Sequence, residues 1–169
     1  WEDSRLASDA LQLRGMAYFN LKNGKQAEAD IKKGLELVPT GATTERWYWL
    51  AENYQQNLKD DGRALDAYKK AGGRGGLWAT YDANLKAAAI LMARKQNDEA
   101  LKILRSAEID GSPGAWREKT LAAKEAVLVA LGRRDDAVAE YRRVLALPNV
   151  TPAEKAAFEK RLAALGTGK

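Results

Sequence analysis

The chain has 169 residues, a net charge of +5, 46% apolar and 30% charged residues, and neither cysteine nor histidine. Without them there is no disulfide, thiolate metal site or cysteine nucleophile, and the commonest general base and metal ligand are missing, which argues against an enzyme. The composition is globular and rich in helix formers, with no strand-like alternation and no apolar run of membrane-spanning length.

The length suits one domain or one short repeat array. A cysteine-free chain fits a reducing compartment, but periplasmic proteins also do without cysteine. Cytoplasm and bacterial periplasm or cell envelope both stay open. The opening Trp1-Glu2-Asp3-Ser4 carries no initiator methionine or signal peptide, so a piece of a longer or processed protein is expected. Eleven basic against seven acidic residues follow residue 113. This excess reads as a solvated helix face rather than a nucleic-acid footprint.

In chain order, the first amphipathic helix carries Leu11, Gly15 and Tyr18. After Asn23-Gly24, a second carries Ala27, Ile31 and Gly34 at i, i+4, i+7, one helix face. The next pair repeats the arrangement: Trp47, Leu50, Ala51 and Tyr54, the breaker Asp60-Asp61-Gly62, then Ala64, Tyr68 and Ala71. A third pair has Trp78, Tyr81, Leu85, Ala88 and Met92, the breaker Gln96-Asn97-Asp98, then Ala100, Leu104 and Ala107. In the fourth, Leu121 and Leu128 hold a stripe that Lys124 and Glu125 interrupt, and Ala137, Tyr141 and Val144 follow Gly132. The four leading alanines are 37, 36 and 37 residues apart, the signature of stacked two-helix units. Thr151-Pro152-Ala153-Glu154 is a capping box that opens a last helix with Phe158, Leu162 and Leu165 on one face and Gly166 at its stop.

Between pairs lie Val38-Pro39-Thr40-Gly41, Gly72–Gly76, Asp110–Gly114 and Pro148-Asn149. Gly72-Gly73-Arg74-Gly75-Gly76 lacks the preceding strand and following lysine of a phosphate cradle, so it reads as a flexible connection. Asp110-Gly111-Ser112 lacks the closing ligands of a calcium loop, and Ser112-Pro113 reads as a helix cap and first turn.

Gly15, Tyr18, Ala27, Ile31, Leu35, Leu37 and Pro39 together resemble a tetratricopeptide repeat. Trp47, Leu50, Ala51, Tyr54, Ala64, Tyr68 and Ala71 resemble a second. Gly132, Ala137, Tyr141, Leu145, Leu147 and Pro148 resemble the back half of a fourth, and the third is looser. The resemblance implies an all-α, right-handed superhelical solenoid of helix-turn-helix repeats at about 4–41, 42–77, 78–113 and 114–150, closed by a capping helix at 151–166.

It also implies a concave face lined by the first helix of each pair. Those helices would present Asp9, Gln12, Leu13, Met16, Phe19 and Asn20, then Glu45, Tyr48, Trp49, Glu52, Gln55 and Gln56. Asp82, Leu85, Lys86, Ala89 and Met92 would follow, then Lys119, Ala122, Ala123, Ala126 and Ala130. Trp47 fits the core stripe, which leaves Tyr48 and Trp49 as an exposed aromatic pair suited to anchoring a partner. Packing of Trp49 on a neighbouring first helix is the plainer alternative. The expected groove comprises Met16, Phe19, Asn20, Tyr48, Trp49, Glu52, Gln56, Lys86 and Met92. Relatives that clamp the C-terminal carboxylate of heat-shock chaperones use basic and amide residues, where this chain has Gln12, Met16, Trp49, Asp82 and Lys86, so that activity is not expected.

The expected function is a protein-interaction scaffold that takes a partner peptide or helix within a larger assembly, with no catalytic residue, cofactor or metal. The alternatives are a non-catalytic regulatory region of a larger enzyme and a helical-repeat RNA-binding module. The expected partner is another protein or peptide, with no insertion into a membrane and no nucleic acid expected.

Overall fold

The computed structural model of the chain describes residues 2–38, 43–73, 76–107, 112 and 114–167. Among them it is all helix, the fold class expected. Of the residues singled out above, Trp1, Pro39, Thr40, Gly41, Arg74, Gly75, Asp110, Gly111 and Pro113 lie outside the described set. The chain divides into two compact units, Trp1–Ile90 and Leu91–Lys169.

In the first unit, α1 (Glu2–Asn20) and α2 (Gly24–Leu37) form a hairpin. Small residues set their approach: a Cβ on Gly15 would sit 2.6 Å from Ile31 Cγ1, and one on Gly34 would sit 3.2 Å from the Ser8 carbonyl oxygen. The Ser8 hydroxyl donates to the Gly34 carbonyl at 2.7 Å, and the Arg14 guanidinium grips Asp30 through two bonds of 2.6 and 2.8 Å.

The second hairpin joins α3 (Thr44–Glu52) to α4 (Asp61–Ala71). The last turn of the first helix widens into a π turn at Asn53–Asn57. There the Asn53 and Asn57 amides donate to the carbonyls of Gly24 and Phe19, at 2.8 and 3.0 Å, fastening this hairpin to the one before. Asp60 caps α4 by accepting from the Arg63 backbone N–H at 2.9 Å. Ala64, Tyr68 and Ala71 are buried, the face the alanine spacing predicts. α5 (Trp78–Ala93) follows, its Asn84 amide clasping the backbone of Gly73 from both sides.

The second unit contains α6 (Asn97–Ser106), α7 (Gly114–Ala130), α8 (Arg134–Leu145) and α9 (Pro152–Thr167). Its core gathers Leu104, Leu121, Leu128, Tyr141, Val144 and Phe158. The capping box of α9 forms as expected: the Thr151 N–H donates to Glu154 at 2.9 Å, and the Glu154 N–H reaches the Thr151 hydroxyl at 3.3 Å. Arg117 closes on the same carboxylate at 2.9 Å, both side chains nearly buried.

Lys124 and Glu125 do not interrupt the packing of α7. The Tyr141 hydroxyl donates to Glu125 at 2.7 Å, Arg161 from α9 grips Glu125, and buried Lys124 lies 3.4 Å from Glu140. Burial pushes the Lys124 ammonium below its ordinary range, against the pull of Glu140.

The tight turns after α1, the π turn, α5 and α7 each hold a residue with left-handed backbone: Lys22, Lys59, Lys95 and Gly132, with φ of 61°, 55°, 60° and 72°. They recur with the hairpin period, although three are lysines, a residue type that gains nothing from that conformation.

Candidate partner-binding groove

In the first unit α1, α3 and α5 lie side by side. Arg46 on α3 donates to Asp9 on α1, and the Phe19 ring of α1 meets Trp49 of α3 edge-on with centroids 5.6 Å apart. Across the other flank, Tyr48 of α3 meets Trp78 of α5 at 4.8 Å and donates its hydroxyl proton to Asp82 at 2.6 Å.

A polar network runs beneath these rings. The buried carboxylate of Glu52 accepts from the Tyr68 hydroxyl, the Lys86 ammonium and the Gln56 amide. Lys86 also donates to the Tyr48 oxygen at 3.2 Å and lies 3.3 Å from Asp82. Burial first, and then the Asp82 and Glu52 carboxylates, push the Tyr48 and Tyr68 hydroxyls well above the ordinary phenol range. Both are fixed donors at neutral pH. The arrangement locks α3, α4 and α5 together and satisfies its own charges. The same device recurs in the second unit, where Glu125, Tyr141 and Arg161 match Glu52, Tyr68 and Lys86.

At one end of the three helices is a recess of about 410 Å³ lined by Asp9, Gln12, Leu13, Glu45, Arg46 and Leu77. Leu13 and Leu77 are 67% and 51% exposed, and Trp78 beside them is 42% exposed.

Of the expected groove residues, Phe19, Tyr48, Trp49, Glu52, Gln56 and Lys86 are linked by the contacts above. Met16 is half-buried and Asn20 exposed, both on α1, while Met92 falls in the second unit. The expected exposed pair is corrected: Tyr48 is only 6% exposed, and Trp49 is half-buried against Phe19. Trp47, assigned to the core, is itself half-buried with the Lys70 ammonium over its ring at 4.0 Å. The cause is that α3 has helices on both flanks and α4 behind, so little of its circumference stays open, and Asp82 gives the buried Tyr48 hydroxyl the partner it needs. Sequence reasoning missed Arg46, Leu77 and Trp78 as groove residues. The adjacent Leu77-Trp78 at a helix start was the available sign.

Among the described residues no helix is long and apolar enough to cross a membrane. No curated protein matches the chain. A tetratricopeptide-repeat family model matches residues 8–40. The solved structure of PilF from Pseudomonas aeruginosa is similar over 99% of this chain and 79% of its own, with a TM-score of 0.59 and 22% identity. Repeats of this kind generally mediate protein–protein interaction, and the fold is typically a non-catalytic scaffold. Residues 8–40 thus match one tetratricopeptide repeat, and over the rest of the chain the likeness to PilF is one of helical fold.

Proposed function

We propose that this protein is an interaction scaffold that holds an extended or helical segment of a partner protein against the side-by-side face of α1, α3 and α5. The observation that carries the reading is the recess on that face, with Leu13, Leu77 and Trp78 presenting large apolar side chains to solvent while the helices beneath are locked by a satisfied polar network. Exposed apolar groups on a rigid support bind well, because little ordering cost is left to meet on association. Of the nine residues expected from sequence, Phe19, Tyr48 and Glu52 are buried and serve here as support rather than as contact surface.

A photo-crosslinking amino acid at Leu13, compared with one at Lys33 on the exposed outer face of α2, tests the reading in cells. A discrete crosslinked partner from position 13 and none from position 33 is the expected result. Equal labelling from both positions, or none from position 13, overturns it.

A further inference from the structure

The charge around the recess points to the chemistry of its occupant. The chain as a whole is basic, at +5. The recess is not. Its rim carries the carboxylates of Asp9 and Glu45, and the one cation among its lining residues is Arg46. The Arg46 side chain is 5% exposed and donates to Asp9 from below, while the Asp9 side chain remains 54% exposed. The guanidinium thus holds the Asp9 carboxylate in place and offsets part of its charge, which leaves Glu45 as the uncompensated carboxylate of the rim. Solvent meets two carboxylates over an apolar floor of Leu13 and Leu77.

We propose that the recess takes a short segment of a partner protein bearing a lysine or arginine next to a bulky apolar residue. This rests on the interaction reading above and specifies the partner's chemistry. At about 410 Å³ the recess holds two or three side chains, not a whole helix cross-section. The apolar side chain fills the floor between Leu13 and Leu77. The basic head reaches the rim, where it meets the carboxylates of Asp9 and Glu45. An acidic segment meets like charge at the same rim and is turned away, so the carboxylates select as well as attract.

The test uses the whole chain and three fluorescein-labelled pools of short peptides, composed of lysine, leucine and serine, of glutamate, leucine and serine, and of leucine and serine alone. Binding is read by fluorescence polarisation at low and high salt. The lysine pool should bind tightest and weaken as salt rises, because screening shortens the reach of the rim charges. Glu45→Lys should lower its affinity roughly tenfold, and Leu13→Ala roughly fivefold. Both changes lie on exposed or half-exposed side chains, so folding is checked simply by an unchanged circular dichroism melt. If the glutamate or neutral pool binds as well as the lysine pool, the charge inference falls while the groove reading stands. Lysine-pool binding indifferent to both substitutions overturns the placement in this recess. If no pool binds, both readings fall together.

Discussion

Replacing Arg117 with methionine should destabilise the second unit by about 2–3 kcal/mol at neutral pH. The Arg117 and Glu154 side chains are 3% and 10% exposed, and the guanidinium also bonds the carbonyls of Asn149 and Ser112 at 3.3 and 3.2 Å. Methionine keeps most of the apolar stem, so the loss is electrostatic and polar rather than a cavity. An abandoned carboxylate can always escape by taking a proton. From an ordinary value of 4.5 that costs roughly 3.4 kcal/mol at pH 7, which bounds the charge part of the penalty. The two Thr151 donors that Glu154 retains bring the figure below that bound.

The assay is urea unfolding followed by circular dichroism, with hydrogen exchange locating the loss in residues 114–167; the melting temperature should fall by roughly 4–10 °C. A second substitution, Glu154→Gln, removes the stranded charge but keeps an oxygen for Thr151, and should restore more than half of the loss. Glu154 is held below its usual range by the Thr151 backbone N–H, with burial opposing and the Thr151 hydroxyl and Arg117 adding to the effect. Its stabilising contribution is therefore present above the unfolded value and lost as pH falls through the folded one. The gap between wild type and Arg117→Met should close in acid. A single variant within about 0.5 kcal/mol of wild type, or a double variant no better than the single, would refute this reasoning.

Gly132→Ala should cost about 1 kcal/mol because its φ of 72° is left-handed, whereas Gly166→Ala, in a helix with equally open surroundings, should gain a few tenths; paired thermal melts check the opposite signs. Gly15→Ala drives a methyl into buried Ile31, so a net loss of about 1–2 kcal/mol is expected despite the better helix propensity, and a stabilised variant would disprove the close crossing. The Asp30 carboxyl lies below its ordinary range, chiefly through its bond from Arg14 with burial opposing. Its contribution is intact above the unfolded value and disappears as pH drops through the folded one, so the urea midpoints of wild type and Asp30→Asn should differ at pH 7 and converge near pH 2.

The hairpins were legible because their signals are steric and local. Alanines at helix crossings, the break at Asp60-Asp61-Gly62 and the Thr151–Glu154 box each follow from residue type and spacing alone. The groove was less legible, for reasons that particular residues show. Tyr48 looks like a surface aromatic until Asp82, far along the chain, accepts its hydroxyl hydrogen bond and lets it enter the core. Glu125 reads as a break in an apolar stripe, since a pattern of hydrophobicity cannot tell a carboxylate in water from one held by Tyr141 and Arg161. Lys22, Lys59 and Lys95 occupy left-handed turns that composition would assign to glycine or asparagine.

The widened turn at Asn53–Asn57 bears on how such a chain can change length. A residue added inside a helix ordinarily rotates everything after it by about 100°, which would tear Tyr54 and its neighbours from their seats. Here the surplus is absorbed within five residues, and the two asparagines turn the irregular stretch into a fastening point for the preceding hairpin. The last turn of a helix can thus hold one residue more than an α turn and still seat its side chains on the hairpin before it.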